Sequence, residues 1–351
     1  MAVGGPTATG KTALAVALAK RFGGEVLSAD SMQIYKGLDI GTAKATPEEQ
    51  GGVPHHLLDI VEPETPFSVA DFTARADGII RALSAAGKLP IVAGGTGLYI
   101  TNLLAGTAFA PEKTDPDLRA ALEARAKTEG GPAALFAELQ AADPDYAAAI
   151  HPNNLPRVIR ALELYRATGR RMSEARAATR PETPPYRALC LALGYRDRET
   201  LYRRIDSRVD RMVAAGLLEE ARRVYAHRAT YRTAAQAIGY KEFFPYFEGK
   251  SDLASCTAAL KQASRRYAKR QLTWFRHQGE ATWLFLDEPG APPVEERAGK
   301  IVEKFLNGQT LYLNSKRAWR ITQNCRYAAT TKGVFRCKTG TCAALRPGGP
   351  R

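Results

Sequence analysis

The sequence has few cysteines and no long apolar run. Cys190, Cys256, Cys325, Cys337 and Cys342 are scattered and odd in number among 351 residues, which argues against a disulfide framework and suits a reducing cytosol. The last three lack both close spacing and a following His, so no zinc site is assigned to them. No apolar stretch approaches the roughly 20 residues a membrane helix needs, so no membrane association is expected. Ala13 to Ala19 is a short apolar run near the start, but the charge of Lys11 sits against it, and a secretory signal is rejected. Acidic residues are absent after Glu303, whereas ten Lys and Arg follow it. Without those ten, the formal net charge of +14 becomes +4 for residues 1–303. The pI near 9.6 is therefore weak grounds for a polyanionic partner, and local clusters must supply them. There is no internal repeat. The segment after Gly308 lacks periodicity, and a basic, disordered or loosely packed tail is expected over 308–351.

What the chain does contain is a phosphate loop. Gly5-Pro6-Thr7-Ala8-Thr9-Gly10-Lys11-Thr12 has the order G-x-x-x-x-G-K-[ST], the class of loop that binds nucleotides such as ATP. Its glycines let backbone N–H groups turn inward around a diphosphate, Lys11 reaches the phosphate oxygens, and the Thr12 hydroxyl is placed to hold Mg²⁺. The Ala- and Leu-rich run that follows forms a helix whose N-terminus also favours an anion. Such a loop should follow a buried strand, and only Met1-Ala2-Val3-Gly4 stands before it.

Strands and helices alternate over the first hundred residues. Glu25–Asp30, His56–Val61 and Leu89–Ala93 read as strands, and a helix capped by Ser68 runs toward Gly87. That order argues for an α/β fold, a parallel sheet wound by helices with its site at the strands' C-terminal ends. From Pro111 to about Pro185 helical spacing replaces strands, which reads as an all-helical insertion. Tyr186–Leu193 returns to strand character. Helices are expected over about Arg198–Arg228 and Leu253–His277, and a last strand over Thr282–Asp287. The expected domains are thus a discontinuous core, 1–110 with 186–307, an insertion over 111–185, and the tail.

A phosphate loop alone says only that a diphosphate is held. An ordinary NTPase also needs a strand-terminal carboxylate to organise Mg²⁺, and here the third strand ends in Gly94-Gly95-Thr96-Gly97. The nearest strand-terminal carboxylate is Asp30, which could assist a metal, take a proton from a nucleophile, or simply cap the following turn. Thr96 in a Gly-rich turn could merely satisfy backbone groups. Arg208 lies among Arg203, Arg204 and Arg211, where a solvated basic face is the ordinary meaning. Arg265, Arg266, Lys269, Arg270 and Arg276, interleaved with Tyr267, Trp274 and Phe275, fit RNA bound by shape with one base drawn out.

Several stretches together resemble the tRNA dimethylallyltransferases, also called tRNA isopentenyltransferases. They are the phosphate loop, Ala29–Lys44, Pro54–Asp59, Phe67–Phe72, Gly94–Tyr99, His151–Asn154 and Ala268–Phe275, in consistent order over about residues 4–290. The resemblance implies a phosphate-loop NTPase-like fold and Mg²⁺-dependent transfer of a dimethylallyl group from its diphosphate. The acceptor would be the exocyclic N6 amine of the adenosine 3′ of the tRNA anticodon, with diphosphate leaving. It implies that Asp30 is the general base, that Thr96 orients the amine, and that Arg208 assists the diphosphate. It also implies tRNA contacts from Asp30, Ser31, Met32 and Gln33, from Arg119, and from Pro156, Arg157, Val158, Ile159 and Arg160. Gln236, Gly239, Tyr240 and Lys241, then Lys269, Arg270 and Gln271, would complete that surface. The expected working form is a monomeric cytoplasmic enzyme. The alternative is a phosphate-loop small-molecule kinase or ATPase in which Asp30 activates a hydroxyl; a non-catalytic RNA-binding protein would leave the loop without a purpose.

Overall fold

Ala2–Gly4 is only three residues long, yet as strand β1 it lies inside a parallel sheet, hydrogen-bonded to a neighbour on each side. Ala2 pairs with Val92 on one side and Cys190 on the other, and the whole strand is buried. The computed structural model describes residues 1–109, 115–179, 181, 183–277 and 281–309, with the backbone of 327–329 and 335–337.

After β1 come α1 (Lys11–Phe22), β2 (Gly24–Ser28), α2 (Pro47–Gln50), β3 (His55–His56), α3 (Val69–Ala85), β4 (Leu89–Ala93) and α4 (Gly97–Ala105). Five helices follow: α5 (Pro116–Arg125), α6 (Gly131–Ala142), α7 (Pro144–Ala148), α8 (Leu155–Thr168) and α9 (Met172–Ala178). The chain then re-enters the sheet as β5 (Cys190–Gly194) and continues through α10 (Arg198–Ala214), α11 (Leu217–Ala226), α12 (Phe244–Phe247) and α13 (Leu253–His277). It closes with β6 (Ala281–Phe285) and α14 (Val294–Leu306). The strand order is β3-β2-β4-β1-β5-β6, every pairing parallel. Of the expected tail, only an antiparallel pair, β7 (Tyr327–Ala329) with β8 (Phe335–Cys337), and residues 308–309 fall within the described residues.

Successive residues of a strand point to opposite faces, and the core divides accordingly. Val3, Ile91, Leu191 and Leu193 pack with Leu14 and Leu18 of α1 and Val302 of α14. Their neighbours Ala2, Val92 and Cys190 pack with Phe72, Ile100, Leu103 and Phe275 on the other side. The helical stretch 116–178 has a core of its own, in which Leu122, Leu135, Leu139, Val158 and Leu162 meet. Ser68 does cap α3: its hydroxyl accepts the Asp71 N–H at 3.2 Å, and the Asp71 carboxylate accepts the Ser68 N–H at 2.8 Å.

The strand expected over Tyr186–Leu193 begins only at Cys190, and two elements differ more. The strand expected over His56–Val61 shrinks to His55–His56, because Leu57 and Asp59 adopt left-handed conformations (φ 63° and 52°) that turn the chain out of the sheet. Val61 then makes an isolated parallel bridge to Tyr35, outside the sheet. The helix expected from Arg198 to Arg228 is two helices, broken at Gly216 with φ 101°, a conformation glycine adopts without a Cβ clash.

That break swings α11 onto the segment after β2. There Glu220, only 2% exposed, accepts the N–H groups of Asp39 (2.9 Å), Ile40 (3.0 Å) and Gly41 (2.8 Å) and the Tyr240 hydroxyl (2.8 Å). Gln33 holds the same segment from the other side, donating to the carbonyls of Thr42 and Ala43, each at 3.2 Å. A Glu220→Gln amide would have to aim N–H bonds at groups that are themselves donors. Chemical denaturation should register a loss of about 2–3 kcal/mol, the scale for buried hydrogen bonds to a charged acceptor. An unchanged midpoint and m-value would show that this carboxylate holds nothing.

Candidate active site

The site is built where β1, β2 and β4 end together. After β1, Gly5 (φ 132°), Ala8 (φ 64°) and Gly10 (φ 74°) all take left-handed or related backbone, turning successive N–H groups toward one concavity. At Gly5 the requirement is also spatial, since a Cβ there would meet the Leu193 carbonyl at 2.5 Å. The Pro6 carbonyl ties the loop from within, accepting Thr9 Oγ1 at 2.9 Å and Lys11 Nζ at 2.7 Å. Helix α1 starts at Lys11 with no acidic residue in its first turn, so its N-terminus faces the concavity with its positive end unopposed.

Lys11 is held there at an electrostatic cost. Burial pushes its ammonium down to about 7, the Arg208 guanidinium adds to the depression, and the Asp30 carboxylate opposes it. Arg208, reaching in from α10, is itself lowered by burial and raised by Asp30. Two cations thus share one carboxylate at the mouth of the loop, which favours entry of a further anion.

Asp30 follows β2 by two residues rather than ending it. Its Oδ1 accepts the Met32 N–H at 2.9 Å, which leaves the other oxygen without a hydrogen bond among the described residues. Thr96 follows β4, and its Oγ1 accepts the Ser31 N–H at 3.1 Å while its own N–H donates to the Ala29 carbonyl at 3.1 Å. The two strand ends can approach because Gly94 has no side chain: a Cβ would lie 2.2 Å from the Ala29 oxygen. Loop 5–12, Asp30, Ser31, Thr96 and Arg208 therefore belong to one site. Tyr267 of α13 joins them, a residue whose place here sequence reasoning missed. Its hydroxyl lies beside Thr96 and Gln271 and is pushed up to about 12, first by burial and then by the Asp30 charge. The signal was its spacing from Gln271 and Trp274, at i, i+4 and i+7 on one face of α13.

The expected RNA surface is only partly on the surface. Met32 and Gln33 are partly exposed, and Pro156, Arg157, Gln236, Lys241, Lys269 and Arg270 are exposed. The side chains of Val158 and Ile159 face the insertion's core instead, 0% and 5% exposed. Tyr240 is fully buried with its hydroxyl on Glu220, and Gly239 is buried over Gly41. Gln271 is 5% exposed and hydrogen-bonded inside the protein. Arg119 and Arg160 both reach the buried Glu163, at 3.4 and 2.9 Å, so part of their charge neutralises that carboxylate.

Among the described residues, no three His, Cys, Asp or Glu side chains gather to hold a metal. The loop offers the Thr12 hydroxyl in the first turn of α1, partly exposed beside Lys11. A single protein oxygen fits Mg²⁺, which usually keeps waters and takes substrate phosphate oxygens. Among the described residues no helix is long and apolar enough to cross a membrane.

Comparison with known proteins agrees with this geometry. Residues 33–278 match the IPP transferase family and residues 1–60 the isopentenyl transferase family. The tRNA dimethylallyltransferase of Geobacillus kaustophilus is 52% identical over 294 residues, covering 83% of this chain and 92% of its own. That of Bacillus subtilis is 49% identical over 291 residues, covering 83% and 90%. Among solved structures, the tRNA isopentenylpyrophosphate transferase of Bacillus halodurans superposes with a TM-score of 0.64 at 44% identity, covering 87% and 96% of the two chains. A eukaryotic dimethylallyltransferase described as acting on tRNA gives a TM-score of 0.75 at 30% identity, covering 90% and 81%.

Proposed function

This chain belongs to the IPP transferase family, and from that premise we infer a tRNA-modifying prenyl transfer carried by the residues gathered at the ends of β1, β2 and β4. The enzyme transfers a dimethylallyl group from its diphosphate to tRNA. We propose the exocyclic N6 amine of the adenosine 3′ of the anticodon as acceptor. The observation that carries this reading is the pairing of an anion-receptive loop with a carboxylate and a hydroxyl, Asp30 and Thr96, on the adjoining strand ends.

In this mechanism the loop N–H groups and Lys11 receive the diphosphate, and Arg208 assists as charge builds on the departing oxygen. The allylic C–O bond breaks, the N6–carbon bond forms, and diphosphate leaves. Thr96 orients the amine, and Asp30 accepts the proton that the amine sheds. Mg²⁺, held by Thr12 together with diphosphate oxygens and water, would supply further neutralisation of the leaving group. The exposed cations Arg157, Lys241, Lys269 and Arg270 would take tRNA phosphates, Pro156 and Gln236 would complete the surface beside them, and Met32 and Gln33 lie next to the base site. Residues 111–185, with helices between 116 and 178, serve as the tRNA-binding insertion in a core formed by 1–110 and 186–307. We propose a monomeric enzyme that works in the cytoplasm.

The kinase alternative loses ground at β4, whose end carries Gly94-Gly95-Thr96 where a metal-organising carboxylate would stand. Purified protein incubated with Mg²⁺, radiolabelled dimethylallyl diphosphate and tRNA should place label on the tRNA. Phosphate release from ATP with no label on tRNA would sink the transferase reading.

A further inference from the structure

Gln271 lies in a stretch whose resemblance pointed to tRNA, yet its side chain is sealed inside the protein. Its Oε1 accepts the N–H of Thr7 in the phosphate loop at 2.9 Å. Its Nε2 donates to the carbonyl of Gly95, the residue before Thr96, at 2.9 Å. One amide thus spans the two halves of the site, the loop that holds the leaving group and the turn that presents the acceptor. Gly95 accommodates this contact by having no side chain, since a Cβ would lie 2.1 Å from Nε2.

The neighbouring turns of α13 complete the grip. Four residues earlier, the Tyr267 hydroxyl lies beside Thr96; three residues later, Trp274 Nε1 donates to Thr101 Oγ1 at 3.0 Å, and its ring covers Gly97. The i, i+4, i+7 stripe Tyr267–Gln271–Trp274 is therefore laid along the acceptor turn. Of these three, Gln271 is the one with a hydrogen bond to the phosphate loop among the described residues. The outward face of the same helix carries the exposed Lys269 and Arg270.

We propose that Gln271 is a positioning residue: its amide fixes the separation between the diphosphate loop and the Thr96 turn, and hence the alignment of allylic carbon and attacking amine. This rests on the transferase reading above. An in-line displacement is sensitive to that separation, and a misplacement of about 1 Å can cost about 10²-fold in rate. The side-chain partners of Gln271 are backbone groups of Thr7 and Gly95, so its effect should fall on kcat and not on binding.

The test compares wild type with Gln271→Leu, which keeps the shape and removes both hydrogen bonds. Gln271→Asn is the second variant; it keeps the amide but is one methylene too short to reach both partners. Single-turnover transfer is measured with saturating dimethylallyl diphosphate and tRNA well below each variant's Tm, and both Kd values are measured separately. For whichever variant folds, kcat should fall by about 10²-fold while both Kd values stay within about threefold. A lower Tm with unchanged kcat per folded molecule would reduce Gln271 to a structural residue and overturn the proposal. Near-wild-type turnover by Gln271→Asn, or a rate loss accounted for by weakened binding alone, would also overturn it. Wild type assayed in parallel separates the two ideas: no label on tRNA from wild type rejects the transferase reading, whereas normal wild-type transfer with an unimpaired variant rejects only the role of Gln271.

Discussion

Lys11→Ala should lower single-turnover prenyl transfer by about two to three orders of magnitude, the usual cost of losing a group placed where transition-state charge develops. Burial first and then the Arg208 guanidinium push the Lys11 ammonium down to about 7, so its charge is held against both desolvation and repulsion. Its present partner, the Pro6 carbonyl at 2.7 Å, is a neutral acceptor and a poor substitute for phosphate. A diphosphate relieves the desolvation and the repulsion together, and the relief grows as the C–O bond breaks and charge moves onto the leaving oxygen. The loss should therefore appear in the rate at saturating substrate and not only in Kd. Substitution should leave the fold intact, because the loop keeps its Thr9–Pro6 bond at 2.9 Å and its left-handed residues. An unchanged single-turnover rate in Lys11→Ala would remove Lys11 from the chemistry.

The parts of this site that were legible in the sequence are those fixed by local physics. The phosphate loop could be read because its order of glycines, Lys and hydroxyl is contiguous, and Asp30 and Thr96 because each closely follows a strand. The parts that were not legible depend on distant partners. Thr7 and Gln271 are separated by 264 positions, and Glu220 reaches Asp39 across 181. Neither glutamine nor glutamate advertises such a bond, since both usually stand in solvent. The break at Gly216 was hidden for another reason: one glycine in a helical pattern is tolerated often enough that periodicity alone does not mark it as a stop.

The expected RNA surface is limited by helix geometry. Pro156–Arg160 is a contiguous block in the resemblance, but a helix turns about 100° per residue, so five consecutive positions cannot share a face. Arg157 points out, while Val158 and Ile159 point into the insertion's core. The same reasoning separates Lys269 and Arg270, exposed on α13, from Gln271, buried beside them. The resemblance names stretches; helical geometry decides which of their side chains face outward.

Asp30→Asn should lower kcat by about 10²–10⁴-fold, the range that general-base assistance supplies. An adenine amine is a weak nucleophile that becomes acidic as its new bond forms, so a carboxylate within reach lowers the barrier by taking the proton. Asp30 has the geometry for this. One oxygen is committed to the Met32 N–H at 2.9 Å, which fixes the side chain, and the other has no hydrogen bond among the described residues. The Asn side-chain oxygen can keep the Met32 bond, so the turn should survive while the proton acceptor is lost. Binding of dimethylallyl diphosphate should hold or tighten slightly, because the substitution removes a negative charge that stands beside Lys11 and Arg208. The competing role is indirect support of Mg²⁺. It requires weaker Mg²⁺ affinity in the mutant and recovery of rate at high Mg²⁺, neither of which a lost base can give. Titrating Mg²⁺ against Asp30→Asn and Asp30→Ala separates the two: a rate that stays low at every Mg²⁺ concentration assigns Asp30 as the base, and a rate restored by metal assigns it to the metal instead.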